Sequence, residues 1–406
     1  MIRQWSGTVI LASALLMVAA CGSSGSSAGG TGGSSASASP ARTYTIGVLA
    51  DVTGVGASTN KAVVDGVKAG VVLARRQGYT VKTVVADTGS SPAGALSGAQ
   101  SLVRQSHVDG VVEATVFSFA ASPYLKSNNV PVFGQATSPE WATNTNMFSV
   151  SGELYAEQAN TAFGAFMKMQ GVTRVGLLAY GVVPNSAQTV KAYATSAKAA
   201  GLDVAFQDTQ LPLGTSGVQP AVLAMKDAKV EGVTAFVEAD TGFAIIKNAR
   251  QAGLDLKVPY LLTGYGGDLL DSGPGALQVA QNVYFATTMQ PVEMNTAATR
   301  QFVADLRTAG LSAHPSYGEY TGYAALAMFA DALKASGGDA TPARLIAGLN
   351  TLHAFDAAGL LGQKIDLGQR GPTSKGVDNC VFVVKLVGKA FQLVKGAEPI
   401  CGKPVG

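Results

Sequence analysis

YTIGVLADVTGVGASTNKAVVDGVKAGVVLARRQGYTVKTVVA, residues 44–86, opens on a short run of β-branched and apolar residues. A loop with Gly and Thr follows, then a longer amphipathic run, then a second short β-rich run. Residues 44–50 read as a strand and 60–77 as a helix, with Val63, Val67, Val71 and Ala74 on one stripe. Residues 81–86 read as the next strand. A strand, a helix and a strand in this order make a parallel pair joined by a crossover helix, the unit of an α/β sheet covered on both faces.

The alternation continues outward from this unit. A helix begun by proline is predicted over 92–106, a strand over 108–114, a helix over 119–127 and a strand over 130–133. The pattern then restarts. Helices are predicted over 154–170, 185–200, 218–228 and 242–252, with strands over 174–179, 202–208, 232–237 and 259–262. Two similar layers in succession predict two lobes. The end differs: helices over 296–309, 319–336 and 342–352 precede a hairpin of 380–387 and 390–395, turned at Gly388-Lys389.

Before the body, residues 9–20 are apolar apart from Ser13 and follow a weakly positive start at Arg3. That is the layout of a secretory signal and is too short for a spanning helix. Val18-Ala19-Ala20-Cys21 resembles a bacterial lipobox, which implies a signal peptide over 1–20 and a lipidated Cys21 as the mature first residue. Residues 22–40 contain only Gly, Ser, Ala, Thr and Pro, a composition that cannot bury apolar surface, so 21–42 is expected to be a flexible leash. The folded body is then expected outside the cytoplasm, anchored to the membrane by lipid. There Cys380 and Cys401 are expected to form a disulfide. No histidine lies near either cysteine, which argues against a metal there.

The chain has 406 residues, 47% of them hydrophobic and 14% charged, enough for a large core in two lobes. The formal net charge is +3, or +2 without residues 1–20, and no Lys/Arg cluster stands out, which argues against nucleic acid as a partner. No G-x-G-x-x-G, P-loop or H-E-x-x-H pattern and no G-x-S-x-G elbow is present, and His107, His314 and His353 are far apart in sequence. A non-catalytic protein with no cofactor and no metal is expected.

Several stretches together resemble the type I solute-binding proteins of ABC importers, in the leucine/isoleucine/valine-binding branch. They are TIGVLADVTG (45–54) with VVDGVKAGVVLA (63–74), VVADTGSSPAGALSGAQSLV (84–103), VDGVV (108–112), NVPVFGQATSPEW (129–141), TRVGLLAY (173–180), IIKNARQAGL (245–254) and YTGYAALAMFADAL (320–333). Their order over nearly the whole body carries the resemblance. It implies two Rossmann-like lobes with parallel sheets flanked by helices, three crossovers near 150–151, 287–289 and 361, and a ligand cleft between the lobes. Lobe 1 is then 43–150 with 288–361, and lobe 2 is 151–287 with 362–406. The implied partners are a small polar solute (an amino acid, amide or related compound) and the ABC permease and ATPase subunits, with the receptor expected to be a monomer. The alternative is a ligand-sensing module of the same fold with a separate signalling partner.

In open α/β sheets, ligands bind beyond the carboxyl ends of the strands. The segments there are 51–59, 87–91, 113–118, 135–141, 180–186, 208–217, 238–241 and 264–271. By the resemblance, Thr115, Phe117 and Ser118, with Gln135 and Thr137, take first-lobe ligand positions. Each hydroxyl has the alternative of capping a helix or a turn, and Phe117 either closes the pocket or belongs to the core. The resemblance places Tyr180 and Gly266 where amino-acid binders carry acids for the ammonium, and Glu238, Asp240 or Asp268 are the candidates to replace them. None of the eight segments contains Lys or Arg, while they contain Asp51, Asp87, Glu113, Glu140, Asp208, Glu238, Asp240, Asp268 and Asp271. A multiply anionic ligand wants a cation partner, so a neutral, zwitterionic or cationic solute is expected. Trp141, Tyr180, Tyr265 and Tyr317 are expected at the cleft as aromatic walls, the alternative being packing beneath a loop.

Overall fold

The computed structural model describes residues 42–152, 159–369 and 379–405. Among them the strands form two sheets. The first contains β1 (Thr43–Ala50), β2 (Thr80–Asp87), β3 (Gly110–Ala114), β4 (Val132–Gly134) and β5 (Met147–Ser149), ordered β2-β1-β3-β4-β5 and parallel throughout. The second contains β6 (Arg174–Tyr180), β7 (Asp203–Leu211), β8 (Gly232–Phe236), β9 (Val258–Leu261), β10 (Tyr284–Thr287), β11 (Cys380–Val387), β12 (Ala390–Leu393) and β13 (Ile400–Cys401). Its order is β12-β11-β10-β9-β8-β6-β7, with β13 on β11. Strands β6 to β10 pair in parallel, and β11 runs antiparallel to β10, β12 and β13.

Burial follows position in the sheet. Seven of the eight residues of β1 are buried, as a central strand covered on both faces requires, whereas the edge strand β2 is mostly half-buried or exposed. The helix Val63–Arg76 buries Val63, Gly66, Val67, Gly70, Leu73 and Ala74 on one stripe. It packs on the long helix Tyr317–Ala335, which starts at a capping box of Ser316 and Glu319. A Cβ at Gly66 would lie 2.2 Å from the Glu319 carbonyl oxygen, and one at Gly322 would lie 2.3 Å from that of Val63. Only glycines permit so close an approach.

The chain passes from the first sheet to the second after β5 and returns after β10, where the helices Ala297–Thr308 and Tyr317–Ala335 pack on Val63–Arg76. It passes back before β11. An antiparallel bridge between Met289 and Leu361 ties the two later passages together. The hairpin turns at residues 388 and 389 with Gly388 at φ +65°, and Cys380 and Cys401 face each other across β11 and β13 in a disulfide. The helix Ala239–Gln251 begins three residues before the sequence places it, because Glu238 in extended conformation serves as its N-cap. The strands β5 and β10 went unseen in the sequence. The signal peptide, Cys21 and the leash lie outside the described residues, as do residues 153–158 of the helix expected over 154–170, whose described part is Ala162–Met169.

Candidate functional site

Both sheets contain a point where the strand order reverses, between β1 and β3 in the first and between β6 and β8 in the second. Crevices open at such points beyond the carboxyl ends of the strands. A cavity of about 70 Å³ lies there, lined from both sheets. The first sheet and its helices contribute Thr59, Asn60, Ala114, Val116, Gln135 and Thr137, with Tyr317, Gly318 and Thr321 from the start of the long helix. The second contributes Tyr180, Val183 and Ser186 after β6, Phe236, Val237 and Glu238 at the end of β8, and Leu262 and Thr263 after β9. The volume exceeds the roughly 10–15 Å³ that one water needs, so there is room for a compact molecule.

Direct hydrogen bonds join the two sides at the mouth. The backbone N–H of Ala239 donates to Thr59 Oγ1 at 3.0 Å and Asn185 Nδ2 donates to the Ala136 carbonyl at 2.7 Å. The Gly267 N–H reaches the His314 carbonyl at 3.0 Å. These bonds describe a closed arrangement.

Asp51 organises the floor. Fully buried, it accepts from Asn60 Nδ2 (3.1 Å), Thr115 Oγ1 (2.6 Å), the Val116 N–H (3.0 Å) and Thr88 Oγ1. Asp87 does the same for the neighbouring loop, accepting from the Val52, Thr53 and Gly89 N–H groups and from Thr53 Oγ1. These two acids hold loops rather than face the cavity.

Of the expected ligand residues, Gln135, Thr137, Tyr180, Glu238 and Tyr317 line the cavity. Thr115, Phe117, Ser118 and Trp141 lie behind it. Thr115 is committed to Asp51. Trp141, 1% exposed, donates from Nε1 to Ser118 Oγ at 2.9 Å, and Ser118 donates to Glu113 Oε2 at 3.1 Å. The Trp141 ring fills the space above Gly134, where a Cβ would meet it at 3.1 Å. Burial pushes the Glu113 carboxyl up to about 8 against the Ser118 bond, and Asp51 and Glu140 add to the rise.

Asp240, Tyr265 and Asp268 line a second, open groove outside the cavity, with Lys61 and Lys247. Tyr265 is held away from the cavity: its hydroxyl donates to Glu293 Oε2 at 2.6 Å and its ring packs edge-on against Phe391 at 4.8 Å. Gly266 has φ +120°, and a Cβ there would meet the Pro315 carbonyl oxygen at 2.2 Å. No side chain, and so no acid, fits at that position.

Glu238 is therefore the one acid among the cavity-lining residues. It is 8% exposed, and its Oε2 has no hydrogen-bond partner among the described residues. Burial pushes its carboxyl up to about 8, against a bond from the Thr59 hydroxyl, and the charges of Asp51 and Asp240 add to the rise. Tyr180 stands beside it. Its hydroxyl donates to Thr241 Oγ1 at 2.7 Å and accepts from the Glu238 N–H at 3.2 Å, and burial raises it to about 12. No Lys, Arg or His lines the cavity. The sequence reading missed Thr59, Asn60, Val183, Ser186 and Thr263 as single residues, although most fall in strand-end segments it marked.

A sequence model described as periplasmic binding protein matches residues 43–390. The chain belongs to the periplasmic binding protein family. It is 27% identical over 282 residues to the Leu/Ile/Val-binding protein homolog 6 of Brucella suis, covering 66% of this chain and 69% of that one. Among solved structures it is similar to a leucine-binding protein from Thermotoga maritima (TM-score 0.68, 18% identity, 86% of this chain and 97% of that one). It is also similar to an ABC transporter solute-binding protein from R. palustris in complex with 4-hydroxybenzoate (TM-score 0.68, 19% identity, 90% and 96%). As a periplasmic binding protein, the chain is an extracytoplasmic solute-binding protein and not an enzyme. The two-lobed fold matches these structures.

Proposed function

We propose that this protein is a lipid-anchored receptor that closes its two lobes on one small, compact solute without excess negative charge and presents it to the permease and ATPase of an ABC importer. The cavity carries this reading. It joins the reversal points of both sheets, is bounded by the rings of Tyr180 and Tyr317 and the apolar side chains of Val116, Val183 and Leu262, and contains one buried carboxyl with no basic residue. Removing water from such a site makes an unpaired anion costly. The R. palustris protein holds 4-hydroxybenzoate; this cavity lacks a cationic side chain to pair with a carboxylate. Lipidation at Cys21 is supported by the Val18-Ala19-Ala20-Cys21 sequence and the uncharged leash after it.

A thermal-shift screen of amino acids, amides, polyamines, urea-like compounds and aromatic acids tests the reading, since a solute bound only by the folded state raises its stability. Stabilisation by one compact class, reproduced by calorimetry at one site per chain, supports it. The absence of any stabilising solute, or tight binding of a dianion such as a sugar phosphate, contradicts it. For the anchor, Cys21→Ser is expected to release the protein from membranes or leave it unprocessed. Membrane association at mature size would contradict the lipid anchor.

A further inference from the structure

Five of the cavity's hydroxyls already donate within the protein. Thr137 Oγ1 donates to the Thr115 carbonyl (2.9 Å), Thr263 Oγ1 to the Val237 carbonyl (3.0 Å), Ser186 Oγ to the Phe236 carbonyl, and Tyr180 Oη to Thr241. Thr321 Oγ1 donates to the Tyr317 carbonyl at 3.2 Å. A hydroxyl has one hydrogen, so each of these can offer a solute only lone pairs. Three nearby backbone donors are engaged as well. The N–H of Val116 goes to Asp51, that of Glu238 to Tyr180, and that of Ala239 to Thr59. The side chains that keep a donor, the Gln135 amide and the Tyr317 hydroxyl among them, are uncharged. Into this ring of acceptors projects Glu238, more than nine-tenths buried, with Oε2 unpartnered.

We propose that the solute is a compact cation, an amine or amidine, whose charged nitrogen seats against Glu238 and donates to the lone pairs around it. The proposal rests on the receptor reading and names its solute class. A positively charged nitrogen satisfies the orphan oxygen and several lone pairs at once. The rings of Tyr180 and Tyr317 line the same cavity, and an aromatic face attracts a cation. The groups facing Glu238 from the packed elements are Thr59, Tyr180 and Tyr317, with Asp51 and Asp240 acting on it by charge; none is cationic. An anion would meet the same field with the opposite sign.

The geometry makes binding proton-linked. Below about pH 8 the free carboxyl holds a proton, which a seated cation expels to solvent. Affinity for a cation therefore tightens by up to about tenfold per pH unit as pH rises toward 8, then levels. A carboxylate accepting from protonated Glu238 would show the reverse slope.

The test uses two trios of similar size that differ in head-group charge: acetamidinium, acetamide and acetate, and isobutylammonium, isobutyramide and isobutyrate. Each is titrated by calorimetry against the full mature chain from pH 6 to 9. A cation is expected to bind best in at least one trio, with the rising pH profile, and Glu238→Gln is expected to weaken it by about 100-fold or more. The wild-type pH profile stands as a separate readout should the variant fold poorly. Tighter binding of the anions or amides in both trios, a falling or flat pH profile, an unmoved cation affinity in Glu238→Gln, or no response to either cation would overturn the proposal. The broad screen separates the two readings: stabilisation by an uncharged solute keeps the receptor and rejects the cation.

Discussion

Tyr180 and Trp141 show how differently two cleft-segment aromatics are used. Both were expected at the ligand, and only Tyr180 reaches the cavity. Its ring is a wall of the site, so Tyr180→Ala is expected to weaken the identified solute by about 1–2 kcal/mol or more while unfolding stays cooperative. Trp141 is walled in behind the site with its indole N–H on Ser118. Trp141→Phe leaves a cavity and removes a buried donor, and should cost about 1–3 kcal/mol of stability in chemical denaturation with solute affinity changed far less. A variant that kept its stability but lost the solute would reverse these assignments. The sequence could place both residues at strand ends, because period and order fix where strands stop. It could not give side-chain direction, which depends on Gly134 leaving room for the indole and on Glu293 capturing the Tyr265 hydroxyl. Glu293 is 28 residues from Tyr265 in sequence.

Elements were legible where they were long and periodic. The helix Val63–Arg76 and the strand β1 declare themselves by their apolar stripe and run, and the terminal hairpin by its glycine turn. Strands β5 and β10 show no period of their own, and their places are set by neighbours: β5 lies at the sheet edge against β4, and β10 pairs with β11, which comes much later in the chain. The contact between Val63–Arg76 and Tyr317–Ala335 is a different case. Its glycines are visible in the sequence, but the partner that makes them necessary is more than 250 residues away. Backbone atoms stand within 2.7 Å of a Cβ built at either Gly66 or Gly322, so they cannot yield by a rotamer change. Gly322→Ala is expected to lower stability by about 1–3 kcal/mol, from overpacking outweighing the better helix propensity of alanine. Because the same helix begins with Tyr317, solute affinity should fall with it. A neutral or stabilising Gly322→Ala, read from denaturant midpoints, would show that these helices do not approach so closely.

At the scale of the molecule, buried carboxyls set the response to pH. Burial raises Glu113 and Glu238 to about 8, Glu319 to about 7 and Asp331 to about 6. The native state then holds protons that the unfolded chain has already lost, so their contribution to stability is complete below about pH 4.5 and is lost as pH rises through about 6 to 8. Glu231 acts in the opposite sense: bonds from Lys257 and Thr173 lower it to about 2, so its contribution is lost as pH falls below about 4.5. Solute-free protein is expected to melt highest near pH 5 and progressively lower toward pH 9, and the Glu113→Gln, Glu238→Gln double variant should flatten the alkaline decline. A melting temperature that climbs to pH 9 would contradict the burial of these groups. The whole account rests on one place, the cavity where the reversal points of the two sheets face each other. Its most direct test is a crystal structure with the solute found by screening. The solute is predicted to lie between Tyr180 and Tyr317, against Glu238 and Gln135, whereas a solute seated in the outer groove of Lys61, Lys247 and Asp268 with this cavity left empty would contradict it.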